Sequence, residues 1–511
     1  MTEPDSDRAL LPVKHRGILT IGVMGAMVMQ ILDTTIANVA LPHMQTSLGA
    51  TMDSVTWVLT SYIVATAIAL PATGWLSERF GSRNLFLFAV GGFIVASMLC
   101  GTAVSLEEMV IFRVLQGTAA AFINPLSQTA MLDINPASRQ AKAMSIWGMG
   151  LMVGPILGPV IGGWLTESYD WRWVFYVNLP VGALTLAILW FLLPSRPKHA
   201  RSFDYTGFAM LSIAVASFQL MLDRGQQEDW FESWEIIIEG LVSASALWVA
   251  VIHFATAKKP LFEREIFRNR NLIVGMFFMC IIGISTMAPM ALLPPMLQQL
   301  FGYPVIDTGL MLAPRGVGVL VTMFIAGQLI GKVDTRMVIV IGLILFSFSL
   351  WQMAHWSLEM DWRPVALSGF IQGLGMGLVF MPLNALAFAT LAPHYRTDGS
   401  SLLNLMRSLG SSAGISMVTT LLSRNSQTAH ADIAQHVTAT SIPSLDLGAT
   451  DRLGSISDGV MAMANAEVTR QALMIAYIDD FYLMAIVSVT VLPLVLLLKK
   501  PKGPLEKIIA E

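Results

Sequence analysis

An aspartate, Asp33, stands inside the apolar run "ILDTTIANVALP" (Ile31 to Pro42), and three arginines, Arg113, Arg315 and Arg407, stand inside other apolar runs. An ionisable side chain at the centre of a membrane helix costs about 2.5 to 3.5 kcal/mol on insertion scales, so each needs a reason to be there. Asp33 lies 8 residues before Leu41, the expected outer end of its run. At a helical rise of about 1.5 Å per residue, that is roughly 12 Å deep. Arg113 lies 5 residues into a run that descends from the same side, roughly 8 Å deep by the same rise. The two can pair. Two readings are open for Asp33: a static ion pair between helices, or a proton carrier. Burial favours the neutral acid and a neighbouring arginine favours the charged one, so a change in either loads or releases a proton.

Arg113, Gln116, Gly117, Ala120 and Asn124 share one helical face, too polar for lipid. Ser400, Asn404, Arg407, Ser408 and Ser411 form a second polar stripe. Gln30, Gln116, Asn124, Asn404 and Arg407 are the expected lining of a substrate cavity. For Arg407 the alternative is snorkelling or bonding a carbonyl. Arg315, between Pro314 and Gly316, suits carbonyls freed by an irregular helix. Asn38, five residues after Asp33, points about 140° away and is expected to bond a neighbouring helix.

Two glycine patterns complete the set. In "GMGLMVGPILGPVIGG", Gly150, Gly154, Gly158 and Gly162 recur every four residues with Pro155, Pro159 and Gly163 among them. Such a ridge serves close helix packing or a moving contact. In "GWLSERFGSR", Gly74, Glu78, Arg79, Gly81 and Arg83 fall in a short turn, either a charged latch between helix ends or a plain basic anchor.

These residues need a membrane scaffold. The chain of 511 residues is 55% hydrophobic and 13% charged, with a mean hydropathy of +0.64, far from a soluble domain. Fourteen runs of about 20 apolar residues can be traced, from Gly17 to Leu41 through to Met474 to Leu498. Of 31 Lys and Arg, 6 fall outside and 3 within these runs if the N-terminus is cytoplasmic. That asymmetry sets both termini inside. "GWLSERFGSR" recurs weakly as "GQLIGKVDTR", and "LQG" (Leu115 to Gly117) as "IQG" (Ile371 to Gly373), at offsets of 253 and 256. The expected fold is an all-α polytopic membrane protein with two six-helix halves and two inserted helices. Its parts are a tail (1–16), a first half (17–193), a linker with the inserted pair (194–271), a second half (272–498) and a second tail (499–511). The polar stretch 423–473 inside the second half is expected as an outer loop, either merely tolerated or a docking surface for a periplasmic partner.

Other chemistries are unsupported. Cys100 and Cys280 lie far apart in apolar runs, suggesting neither disulfide nor metal site. A net charge of −3 gives no footprint for nucleic acid. The only Gly-Lys pair, Gly331-Lys332, lacks a phosphate-loop pattern, and no zinc-protease motif occurs. The chain is not expected to be an enzyme or to carry a cofactor. A proton gradient is the expected energy source, since the membrane potential supplies about 2.3 kcal/mol per charge per 100 mV.

Four stretches, "LDTTIANVALP", "GWLSERFGSR", "RVLQG" and "GPILGPVIGG", together resemble the major facilitator superfamily and its fourteen-span drug:proton antiporter branch. "WRWVFYVNLPVG", "LDRGQQEDWF" and "NLMR" are similar to EmrB-type multidrug exporters. The resemblance implies proton-driven efflux of lipophilic compounds across a bacterial inner membrane, with Asp33 and Arg113 in proton coupling. It places the glycine ridge, the antiporter motif, at the contact between halves, and implies a periplasmic adaptor and an outer-membrane channel as partners. One departure is Glu78, where the family has Asp. The rival reading is a dedicated exporter of one metabolite or siderophore.

Overall fold

The computed structural model describes residues 9–196, 202–329, 333–436 and 455–498. Apolar runs with no water to bond their backbone must satisfy it internally, and the chain does so as helices, with no strand among the described residues. Fourteen of these helices are long. They are α1 (Arg16–Ser47), α2 (Trp57–Phe80), α3 (Ser82–Thr102), α4 (Leu106–Asp133), α5 (Ala137–Ser168), α6 (Trp173–Leu192), α7 (Tyr205–Arg224) and α8 (Trp234–Thr256). Then come α9 (Arg270–Gln299), α10 (Val305–Leu329), α11 (Thr335–Met353), α12 (Trp362–Ala389), α13 (Arg396–His436) and α14 (Ser455–Thr490). Among the described residues, twelve are long and apolar enough to cross a membrane. α5 and α13 are not among the twelve. In α13 the polar stripe of Ser400, Asn404, Arg407 and Ser411 lowers the hydropathy.

The first six helices and the last six pack by one scheme. α1 packs on α5, α2 on α4, α3 on α4 and α6; in the same way α9 packs on α13, α10 on α12, and α11 on α12 and α14. The halves meet along α5 against α10 and α2 against α13, pairs that the repeat exchanges. α7 and α8 form a hairpin whose first helix touches both α2 and α13. Short turns alternate the helix directions, so the start of α1 and the α2–α3, α4–α5 and α12–α13 connections share one end, here the near end.

The polar stretch 423–473 differs from the expected loop. In its described parts α13 runs on to His436 and α14 begins at Ser455. The residues 423–436 and 461–473 contain neither proline nor glycine, so nothing there breaks a helix. His430 Nε2 meets Asn465 Oδ1 at 3.0 Å, tying the two extensions together. Residues 437–454, 1–8, 197–201 and 499–511, parts of the expected loop, tails and linker, lie outside the described residues.

Candidate functional site

Asp33 and Arg113 meet with no solvent exposure on either side chain, Nη1 to Oδ2 at 2.7 Å. The second carboxylate oxygen accepts from Gln116 Nε2 at 2.8 Å and from Asn178 Nδ2 at 2.8 Å. Gln116 in turn accepts from Arg113 Nη1 at 2.7 Å. Arg113 Nε donates to the Val58 carbonyl at 2.9 Å, and its guanidinium lies 4.3 Å from the centre of the Tyr62 ring. Asn178 also donates to Ser97 Oγ at 2.9 Å, and Ser97 donates to the Phe175 carbonyl. Five helices, α1, α2, α3, α4 and α6, thus meet in one hydrogen-bonded cluster around the Asp33–Arg113 pair. Taking two charges out of water costs several kcal/mol per ion, which the surrounding donors offset only while the set stays together. Separating Arg113 from Asp33 would leave a carboxylate that is better off neutral.

The glycine ridge of α5 lies against α1. A Cβ on Gly154 would overlap the Ile31 side chain and come within 3.0 Å of its backbone carbon, and one on Gly158 would overlap Thr35. Thr35 Oγ1 reaches the Gly154 carbonyl at 3.3 Å. Gly150 and Gly162 face Met24, Met27 and Ile36. The ridge therefore grips the stretch of α1 that flanks Asp33, inside the first half, and the expected placement between halves is corrected: α5 meets α10 through Ser145, Gly148 and Val160 instead. Helical periodicity allows both, since residues two apart, such as Gly148 and Gly150, fall on opposite sides of a helix. Gly154→Leu is expected to wedge α5 from α1, costing about 1 to 3 kcal/mol as overpacked cores do. Thermal unfolding in detergent should register it, with Gly91→Ala, whose Cβ would meet Leu186 only at 4.0 Å, unchanged.

A file of polar groups crosses between the halves near the near end. Arg407 Nη2 donates to Asn404 Oδ1 at 3.4 Å, Asn404 donates to the Ser400 carbonyl at 2.9 Å, Ser400 donates to Gln128, and Gln128 Nε2 donates to Asn384 Oδ1 at 3.0 Å. Beyond it, buried Asp133 at the end of α4 holds Arg196 from the linker and Arg396 from α13, with Arg396 Nη1 at 3.3 Å and Arg196 Nη2 at 2.6 Å. Tyr395 donates to Glu263 and, at 3.0 Å, to Glu265. Burial first, then those hydrogen bonds, push its phenol above the usual range, so it stays a donor.

The comparisons with known proteins agree with this architecture. A family model described as "Major Facilitator Superfamily" matches residues 23–415. The chain belongs to the major facilitator superfamily. It is 34% identical over 490 residues to "Multidrug export protein EmrB" of Haemophilus influenzae, covering 95% of this chain and 96% of that one. It is 33% identical to "Fatty acid resistance protein FarB" of Neisseria gonorrhoeae, covering 94% and 96%. Among solved structures, the human organic anion transporter MFSD10 superposes with a TM-score of 0.59 at 15% identity, over 93% of this chain and 99% of that one. A bacterial homolog of the lysosomal transporter Spinster does so with a TM-score of 0.56 at 16% identity, over 96% and 99%.

This facilitator fold places the remaining expected residues as follows. Gln116, expected in the cavity, is part of the Asp33 cluster, with both amide atoms bonded. Gln30 and Asn124 are buried, and their amide oxygens have no protein partner among the described residues. Asn38 is exposed rather than bonded to a neighbouring helix. Arg315 Nη2 donates to the Thr286 carbonyl at 3.0 Å. In the turn after α2, Gly81 adopts φ 92°, a conformation that favours glycine, and Arg83 donates to the Trp190 carbonyl of α6. Arg79 is exposed and Glu78 is half-buried. Gly74, inside α2 rather than in the turn, faces the other half, packed on Asp398 in the first turn of α13. Pro155, Pro159 and Gly163 continue α5 without a break in the helix.

Sequence reasoning missed Ser97, Asn178, Gln128, Asn384, Asp133, Arg196 and Arg396. One signal was available: Gln128 and Asn384 are 256 apart, the offset at which "LQG" recurs as "IQG". These repeat mates bond each other across the boundary between halves.

Proposed function

We propose that this protein exports lipophilic, toxic compounds across a bacterial inner membrane in exchange for protons, by alternating access between its two halves. The single observation that carries the reading is the sealed Asp33–Arg113 pair, a titratable group held out of solvent by partners from α4 and α6, which α2 and α3 brace in turn. A movement that parts them changes the proton affinity of the acid. The near end is read as cytoplasmic from the Lys and Arg distribution, and α5 and α13 as crossing the membrane like the other twelve. The similarity to EmrB supports a broad range of drugs. The similarity to FarB, together with Arg407 half-buried on the α13 stripe, favours amphipathic acids as a second class. The helical extension of α13 and α14 beyond the bundle is where a periplasmic adaptor leading to an outer-membrane channel would dock.

Reconstituted vesicles test this directly. With an imposed pH gradient, the full chain is expected to move ethidium and oleate in separate assays and to dissipate the gradient only when a substrate is present. Transport of both compounds without proton flux would overturn the coupling.

A further inference from the structure

The second half contains a buried acid that the Asp33 cluster does not use. Asp480 of α14 is 0% exposed, and neither of its carboxylate oxygens has a hydrogen-bond partner among the described residues. It lies six residues past Met474, the expected start of the last apolar run. α14 is the repeat counterpart of α6, which presents Asn178 to Asp33 in the first half. Gln372, 256 residues after Gln116, is likewise 0% exposed, with both amide atoms lacking a protein partner. Ser347 of α11 and Ser488 of α14 add two further unpartnered hydroxyls in the same half. Ser488, two turns along the Asp480 face of α14, lines a cavity of about 30 Å³ together with Ser285, Thr286 and Met376. That is room for about two water molecules.

The charges around Asp480 are few. On its own helix Asp479 is the charge that bears on it, and Tyr477 lies one turn earlier. Of the helices packed on α14, α9 and α11 carry charged residues only at their near ends, Arg270 and Arg336, with His355 following α11. α13 contributes Arg396, Asp398, Arg407 and, beyond them, Arg424, His430, Asp432 and His436. Among the described residues none of these forms an ion pair with Asp480. An isolated carboxylate in such surroundings costs far more than the neutral acid, so the site favours a bound proton until water or a cation reaches it.

We propose that Asp480 is a second proton-binding carboxyl, housed in the second six-helix half as the counterpart of the Asp33 cluster in the first. The inference rests on the reading of the protein as a proton-driven exporter, and it gives the two halves opposite contents: an acid paired with a guanidinium in one and an unpaired acid in the other.

Infrared difference spectroscopy of the purified full chain during a pH jump tests the site without any substrate. The wild-type protein is expected to show a protonated-carboxyl stretching band that Asp480→Asn loses and Asp479→Asn retains. Asp480→Glu should keep the band at a shifted frequency, which keeps the assignment testable if the Asn variant does not fold. A band unchanged in Asp480→Asn, or unshifted in Asp480→Glu, would overturn the proposal. If the band behaves as expected but vesicles show no substrate-dependent proton flux, the exporter reading fails and the proton site stands.

Discussion

Replacing Asp33 by Asn lowers export against a gradient at least about a hundredfold, while the protein still reaches the membrane. Breaking one side of a buried ion pair costs about 3 to 5 kcal/mol because the other charge stays buried without compensation. Here that charge is Arg113, fully buried, with Val58, Gln116 and the Tyr62 and Phe175 rings among its other contacts. An asparagine occupies the same volume and still accepts from Gln116 or Asn178, so the helices keep their packing. It cannot take up a proton or release one. The expected outcome is therefore specific: downhill equilibration of ethidium persists in vesicles, while accumulation driven by a pH gradient is lost. The variant Arg113→Gln should fail in the same assay, because it too removes the alternation between a paired and an unpaired acid. Gradient-driven accumulation equal to wild type in Asp33→Asn would remove Asp33 from the coupling mechanism.

Asp33 and Arg113 were legible in the sequence because charge in an apolar run is expensive and depth along a helix can be counted. Direction around the helix is harder, since it depends on which neighbours pack where. Asn178 shows the limit: it stands in a stretch that marks the family, yet nothing in the spacing says that it donates to Asp33. The same limit governs the ridge of α5, where four-residue spacing identifies a close contact but not its partner, which is α1. Asp133 and Arg196 were overlooked for a different reason. A charge at the end of a membrane run or in a basic linker costs little if solvated, so neither residue looks anomalous until the fold buries Asp133. Asp480 combines both difficulties, beside a second acid near the start of its run and in a helix whose inward face only the packing defines.

The contact of the ridge with α1 has a mechanical consequence. α5 carries on one face the glycines that grip Ile31 and Thr35, and on another the Ser145 hydroxyl that donates to the Met323 carbonyl of α10. A shift of α10 relative to the first half is thereby passed through one rigid helix to the residues on either side of Asp33. With Ile31 and Thr35 seated where Cβ atoms would otherwise stand, α5 and α1 are packed closely enough for that shift to reach them.

Asp133→Asn is expected to open the near end. Asp133 is 2% exposed and holds two guanidinium groups, one from the linker and one from the first residue of α13. Arg396 is itself 3% exposed, so losing the carboxylate charge leaves a buried cation whose Nε already lacks a partner. The penalty for such an unpaired buried charge is about 3 to 5 kcal/mol, and it falls on the closed near end alone, since separating the halves lets water reach Arg396. A bias of that size moves a two-state equilibrium about a hundredfold or more. Distance measurements between spin labels at Arg79 and His394, both solvent-accessible sites on opposite halves, should show the closed population depleted in Asp133→Asn. Arg396→Gln in the same background removes the orphaned cation and is expected to restore much of the closed population, a non-additivity that a general loss of stability would not produce. If the double variant is as open as Asp133→Asn alone, the ion pair does not hold the halves together, and the polar file through Gln128 and Asn384 carries the closure instead.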